Sequence, residues 1–468
     1  MSTAQQYGFA RVTHAPEVEV APGKRLSFGF DAAAVAPDGT VTALQWANGA
    51  AAAGSRFRLM IALDVREEVL IDVLLLENEQ VIGTLDIRYA YVCQPFEMML
   101  DAAQTEAAMR GGIGLRMMRG TQPLWFFHAD VPGTVLYRPH LLLTSDSDPV
   151  QAFYDRLASL DSVQSFGWME GCVLDALLDL SAVHPEGPYA AALKAHLNQF
   201  LDDSQRLYYE DPRSQPADDR VYGIEGTLPF AALAQTWPDH PVVQQVVDFW
   251  LGKQNADGAV KDHGSLTAEG SYTIAYPMAV IARQRGDTAL TALALRQLEL
   301  RRQFLVHDDA IWLRYHEDGS RTYRNWARGC AWYLLGLART LTVLKDDPDS
   351  ESARAEFQRA AQWVATHARK DGLWACFVDE PDVAVDTSGS AGIAAALALG
   401  VKEGQIERGY QQLAATTFET LTTYLTPDGL LMGVAQSNRG GEALQRSNYR
   451  VISQMGMGLM GQLAAALA

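Results

Sequence analysis

The chain has 468 residues, 48% hydrophobic and 20% charged, enough for two folded units with substantial apolar cores. Its net charge of −18 excludes a general nucleic-acid binder, because no basic field is available to attract phosphates. No apolar run reaches membrane-spanning length, and the N-terminus lacks the basic stretch and apolar core of a secretory signal, so a cytoplasmic location is expected. In chain order, residues 1–145 read as strands. Glu17–Val20, Arg25–Phe30, Arg56–Leu63, Val69–Leu76, Val81–Tyr91, Leu124–His128 and Val135–Leu143 are short apolar runs separated by turn residues such as Pro37-Asp38-Gly39. This spacing predicts a β-sandwich, with a helix over Phe96–Ala108. The polar stretch Thr144–Asp148 is the expected linker or helix cap.

From residue 146 apolar residues recur at three- and four-residue spacing. Six segments place a glycine just inside a strongly apolar helix: Gly171, Gly226, Gly270, Gly329, Gly389 and Gly456. Amphipathic return helices follow, as at Tyr189–Leu201, Val242–Lys253, Thr288–Phe304 and Ser352–His367. An inner helix touches neighbours all round and is apolar all round, whereas an outer helix keeps a solvated face. The pattern predicts an (α/α)6 barrel over residues 146–468; an open solenoid, the alternative, would show more uniform repeats.

Two segments carry a resemblance. Trp326-Ala327-Arg328-Gly329-Cys330-Ala331-Trp332 resembles the Trp-x-Arg-Gly-x-x-Trp segment of the six-hairpin glycosidases, the unsaturated glucuronyl and unsaturated rhamnogalacturonyl hydrolases. Asp386-Thr387-Ser388-Gly389-Ser390-Ala391 is similar to their Asp/Glu-Thr-Ser-x-Ser-Ala helix start. The likeness spans roughly residues 165–468. It implies an (α/α)6 barrel, a substrate containing uronic acid, and contact of the uronyl group with Trp326, Arg328 and Trp332. The chemistry of Arg328 suits this independently, since a planar guanidinium grips a carboxylate through two parallel hydrogen bonds. Trp332 is equally readable as core. The family's aspartate at the third inner helix is missing: the stretch Glu269-Gly270-Ser271-Tyr272-Thr273-Ile274-Ala275-Tyr276-Pro277 contains none. The chain therefore reads as a divergent member.

Three glutamates, Glu170, Glu225 and Glu269, stand just before the glycine of the first, second and third inner helices. On a shared barrel mouth they would supply the paired carboxylates that glycosidic cleavage needs. The helix macrodipole alone also favours glutamate there. The aromatic flanks Trp168, Tyr222 and Tyr272 tip the reading towards substrate contact, with Glu225 and Glu269 ranked ahead of Glu170. Secondary binding candidates are His263, in the loop before the third inner helix, and Tyr449 and Arg450, before the last. Asp386 is expected to cap its helix, and Pro427-Asp428-Gly429 to form a turn.

The expected activity is an exo-acting glycoside hydrolase on oligosaccharides ending in a saturated or 4,5-unsaturated uronyl group. The alternatives are a sugar epimerase or polysaccharide lyase on the same barrel, or a non-catalytic carbohydrate-binding protein. An oligosaccharide is the expected partner; nucleic acid and membrane are not, and homo-oligomer formation is left open. The cysteines Cys93, Cys172, Cys330 and Cys376 are far apart and expected to be reduced and buried. No metal site and no cofactor is expected.

Overall fold

The computed structural model describes residues 6–47, 54–144, 148–261 and 264–468. The first part is built from β1 (Gln6–His14), β2 (Ala32–Val35), β3 (Thr42–Trp46), β4 (Gly54–Met60), β5 (Glu68–Leu75), β6 (Val81–Arg88), β7 (Pro95–Asp101), β8 (Ile113–Arg119), β9 (Leu124–Phe127) and β10 (His140–Thr144), with one helix, α1 (Ala102–Gly111). Eight strands hydrogen-bond in the order β6-β5-β8-β3-β1-β10-β4-β7, and β2 pairs with β9. β1 serves two antiparallel layers: Tyr7–Phe9 pair with β10, and Ala10–His14 with β3. In β5, Val69, Ile71 and Val73 are buried while the residues between them are half-buried, the alternation that a one-sided core imposes.

Of the expected strand Val135–Leu143, only the part from His140 on is a strand. Residues 17–20 are not a strand, and 25–30 contains a short 3-10 turn, Ser27–Gly29. Residues 96–108 are not one helix. Seven residues of β7 pair with β4, which overrides the helical propensity of Glu97, Met98, Met99 and Leu100. The helix begins only after Asp101, whose carboxylate accepts the Gln104 N–H at 2.8 Å.

The remainder is helical: α2 (Pro149–Leu157), α3 (Trp168–Val183), α4 (Tyr189–Asn198), α5 (Pro229–Thr236), α6 (Val242–Lys253), α7 (Tyr276–Arg285), α8 (Thr288–Leu305), α9 (Ala327–Val343), α10 (Glu351–Thr366), α11 (Thr387–Lys402), α12 (Tyr410–Thr422), α13 (Gly441–Arg446) and α14 (Gln454–Leu467). α9 is buried at every position from Ala327 to Leu341, whereas α10 buries a single stripe around Phe357, Ala360, Ala361 and Val364. α3, α5, α7, α9, α11 and α14 each pack on the next, and α14 returns to α3. Outside them α4 lies on α3, α6 on α5, α8 on α7, α10 on α9, α12 on α11, and α2 on α14.

The glycines at the inner helix starts permit close packing. A Cβ on Gly389 would lie 2.6 Å from that of Ala327, and one on Gly458 2.6 Å from the Cys172 carbonyl. The strands are tied to the helices by a buried ion pair. Arg58 of β4 donates to Glu97 and to Asp428, each at 2.7 Å, and Arg156 stands 3.6 Å from Asp428. Residues 427–429 do turn, but Asp428 is wholly buried, contrary to a plain solvated turn. Burial alone would raise its pKa; Arg58 and Arg156 more than offset this and hold it far below the usual carboxylate range. All four cysteines are free and buried. Among the described residues, no helix is long and apolar enough to cross a membrane.

Candidate active site

The starts of the inner helices meet at one end of the ring. The second inner helix begins with a 3-10 turn, Ile224–Thr227, and the third with a π-turn, Ser271–Ala275. The hydroxyl of Thr227 donates to the Thr273 carbonyl, joining the two starts. Trp332, in the second turn of α9, reaches both other sides. It meets Trp168 edge-on at 5.5 Å and stacks on Tyr272 at 6.0 Å with an interplanar angle of 18°.

Glu225 and Glu269 thus stand on adjoining helix starts, Glu225 half-buried and Glu269 buried. Beside Glu225 the Tyr222 hydroxyl is buried without a hydrogen-bond partner. Burial, reinforced by the charge of Glu225, raises its pKa well above that of a free phenol, so it remains a neutral O–H donor. The turn carrying Glu269 is held by Arg301, which donates to the carbonyls of Thr267 at 3.0 Å, Val260 at 3.2 Å and Gln297 at 3.1 Å. Its guanidinium packs beneath Gly270, where any side chain would overlap it. Burial pulls the pKa of Arg301 down to about 9.

Glu170 is placed differently from its expected catalytic role. It is fully buried, meets His196 Nδ1 at 2.8 Å and accepts the Gln164 N–H at 2.7 Å. His196 in turn meets the Ser159 carbonyl at 3.0 Å. Burial raises the pKa of Glu170 against the opposing pull of His196. The group fastens α3 to α4 and to the segment before it.

Arg328 lies in the first turn of α9 with 3% of its surface exposed. Its Nη2 donates to the Gln436 carbonyl at 2.7 Å, and its Cζ lies 4.6 Å from the Trp326 ring centre. Its Nε is buried without a partner, and among the described residues no carboxylate lies within ion-pair distance. A buried cation at a helix N-terminus opposes both desolvation and the macrodipole. Both penalties are relieved by an anion, which the same two features then attract.

The remaining expected contacts separate. Trp168 is half-buried at the mouth, whereas Trp326 and Trp332 are each 2% exposed and form its floor. Trp326 Nε1 donates to Gln445 at 3.2 Å. Tyr272 is fully buried, its hydroxyl donating to Asp175, so it supports Trp332 from behind rather than meeting a ligand. Tyr449 is corrected to a strand contact: its hydroxyl donates to the Asp86 carbonyl at 2.8 Å and its ring lies under Arg88. Arg450 is likewise no second anion contact. Its nitrogens donate to the carbonyls of Val385, Ala384, Ser447 and Tyr449 and clamp that loop. His263 lies outside the described residues. Asp386 caps α11 as expected, accepting from Ser388 N and Ala435 N, while its Oδ2 is buried without a partner.

Residues not singled out from sequence join the site. Gln436 and Gln445 position Arg328 and Trp326, and Arg301 positions the Glu269 turn. Asp175 is buried inside α3; burial pushes its pKa up to about 7 against the charge of Arg339. An aspartate within the apolar run Cys172–Leu180 was the available signal. Sizeable cavities lie elsewhere among the described residues. One of about 370 Å³, lined by Asp179, Tyr276 and Arg339, opens at the opposite ends of the inner helices; another of about 660 Å³, lined by Lys24, Asp64, Arg66 and Trp125, lies among the strands.

Residues 150–468 match the model of Glycosyl Hydrolase Family 88. Solved structures share the fold at low identity. A family 105 glycoside hydrolase from C. acetobutylicum is 15% identical, with a TM-score of 0.57 over 65% of this chain and 94% of that one. A family 88 glycosyl hydrolase from Bacteroides vulgatus is 14% identical, with a TM-score of 0.52 over 64% and 91%. A polysaccharide lyase is 18% identical, with a TM-score of 0.52 over 64% and 90%. No curated protein sequence gives a significant match.

Proposed function

We propose that this chain, which belongs to Glycosyl Hydrolase Family 88 and is a glycoside hydrolase, removes a terminal uronyl residue from an oligosaccharide. We read its ring of paired helices as an (α/α)6 barrel forming a catalytic domain over residues 146–468, behind a β-sandwich domain over 1–145. The observation that carries the substrate class is Arg328, a buried guanidinium without a carboxylate partner among the described residues, stacked on Trp326. The carboxylate of a uronyl group supplies the missing anion, and the floor of Trp332 and Trp168 suits the apolar face of a sugar ring.

Glu225 and Glu269 carry the proton transfers in this reading. One protonates the leaving oxygen and the other directs water to the sugar. On a 4,5-unsaturated end group a single acid suffices, because the double bond itself accepts the proton. In this reading the unpartnered Tyr222 hydroxyl donates to an oxygen handled by Glu225, which the electrostatic influence of Glu225 on it supports. A screen of aryl uronides, unsaturated uronyl disaccharides and aryl hexosides tests the proposal, comparing aglycone release with loss of the unsaturated chromophore. Turnover of at least one uronide class is expected, with the neutral hexosides inert. Activity confined to neutral hexosides contradicts it.

A further inference from the structure

One loop of the N-terminal strands reaches the helix starts. Residues 89–94 join β6 to β7, with Tyr89 and Cys93 in left-handed conformation at φ 48° and 65°. The far end of the loop is fastened to the start of α14 and to the segment before it. Gln454 Nε2 donates to the Cys93 carbonyl at 2.7 Å, and Gln94 Nε2 to the Ile452 carbonyl at 3.2 Å. Gln94 Oε1 accepts from Gln436 Nε2 at 3.2 Å, and it is the backbone carbonyl of Gln436 that holds Arg328.

Tyr91, at the middle of the loop, spans two sides of the mouth. Its ring meets Trp168 edge-on at 6.1 Å, and its hydroxyl pairs with Ser437 Oγ at 3.0 Å. Arg439 lies over one face of the ring, its Cζ 4.9 Å from the ring centre. The side chain is half-buried, so part of it still meets solvent. A residue from outside the family-matched region 150–468 therefore bridges the first inner helix start to the strand segment beside Arg328.

We propose that Tyr91 contacts the substrate and that loop 89–94 walls one side of the mouth, making it a pocket for chain ends rather than a through-going groove. The inference rests on the site assigned above. An aromatic ring with a fixed hydroxyl packs on a sugar face while holding its rim. On this proposal the Tyr91–Ser437 contact stops an internal sugar extended on both sides.

The test compares wild type, Tyr91→Ala and Tyr91→Phe on a terminal uronyl disaccharide and on a trisaccharide whose uronyl group is capped by a further sugar. Wild type is expected to cleave only the uncapped substrate. Tyr91→Ala should lose about tenfold or more in kcat/KM on the disaccharide, mainly through KM, and gain activity on the capped one. Tyr91→Phe keeps the ring and should retain the exclusion. Tyr91→Leu is read identically if the alanine variant does not fold. An unchanged KM and an unchanged ratio of uncapped to capped turnover in the folded variant overturn the proposal. If wild type instead prefers a neutral glycoside, the uronide reading falls, while the same ratio on that glycoside still decides the role of Tyr91.

Discussion

Glu225 and Glu269 differ from Glu170 in their surroundings, although all three precede a glycine at an inner helix start. Glu170 is consumed by His196 and the Gln164 N–H, whereas Glu225 adjoins an unpartnered phenol and Glu269 sits on a turn braced by Arg301. Glu225→Gln and Glu269→Gln are each expected to lower kcat by about 10²–10⁴-fold while leaving the melting temperature nearly unchanged. The substitution keeps shape and removes only the transferable proton and the charge. Near-wild-type turnover in either variant removes that residue from the mechanism. The spacing of the three acids was legible in the sequence, which also ranks Glu225 and Glu269 ahead of Glu170; the contact that sets Glu170 apart was not. His196 belongs to the return helix, 26 positions from Glu170, and no local pattern announces that pairing. Arg301 and Gln436 were hidden for the same reason: they act through backbone carbonyls distant in sequence, and carbonyls leave no trace in residue identity.

Among the elements, the inner helices were legible because a helix buried all round shows a predominantly apolar composition, and the outer ones because one stripe is buried. Return helix α6 has its expected bounds, Val242–Lys253. The partner of α14 was not legible. It is α2, which precedes the other five pairs, so chain order alone does not show the pairing. β7 was misread as helix because pairing with β4 is a long-range effect that outweighs local propensity. The tie between β4 and the turn at Asp428 was equally invisible, since Arg58 and Asp428 are 370 positions apart. Its energetics yield a prediction. Asp428→Asn takes one of its two carboxylates from the buried Arg58, leaving Glu97, and is expected to cost up to about 3–5 kcal/mol in urea unfolding at neutral pH. Because the folded-state pKa of Asp428 is depressed, its stabilisation is present above the ordinary value of 3.8 and is lost as pH falls through and below it. The variant should therefore show a flatter acid limb than wild type. An unshifted urea midpoint contradicts the assignment.

At the scale of the whole molecule, the helical ring gathers groups from widely separated positions onto one mouth. Trp168, Tyr222, Glu225, Glu269, Arg328 and Trp332 come from four inner helix starts, and Tyr91 of loop 89–94 meets Trp168 there. The ring was legible from its repeat, but the meeting of strands and helices was not, because Tyr91 and Gln94 reach over from a part of the chain with a different pattern. We propose that this mouth is selective for an anionic sugar and that Arg328 carries that selectivity. The most direct measurement is kcat/KM for an aryl uronide against the matching aryl hexoside, in wild type, Arg328→Ala and Arg328→Lys. Removing a desolvated charge-assisted contact costs about 2–5 kcal/mol, so Arg328→Ala should lose the uronide preference, and Arg328→Lys should recover only part of it because a lysine cannot form the two-pronged contact. A folded Arg328→Ala protein that still prefers the uronide as strongly as wild type would contradict the claim and return Arg328 to the structural framework.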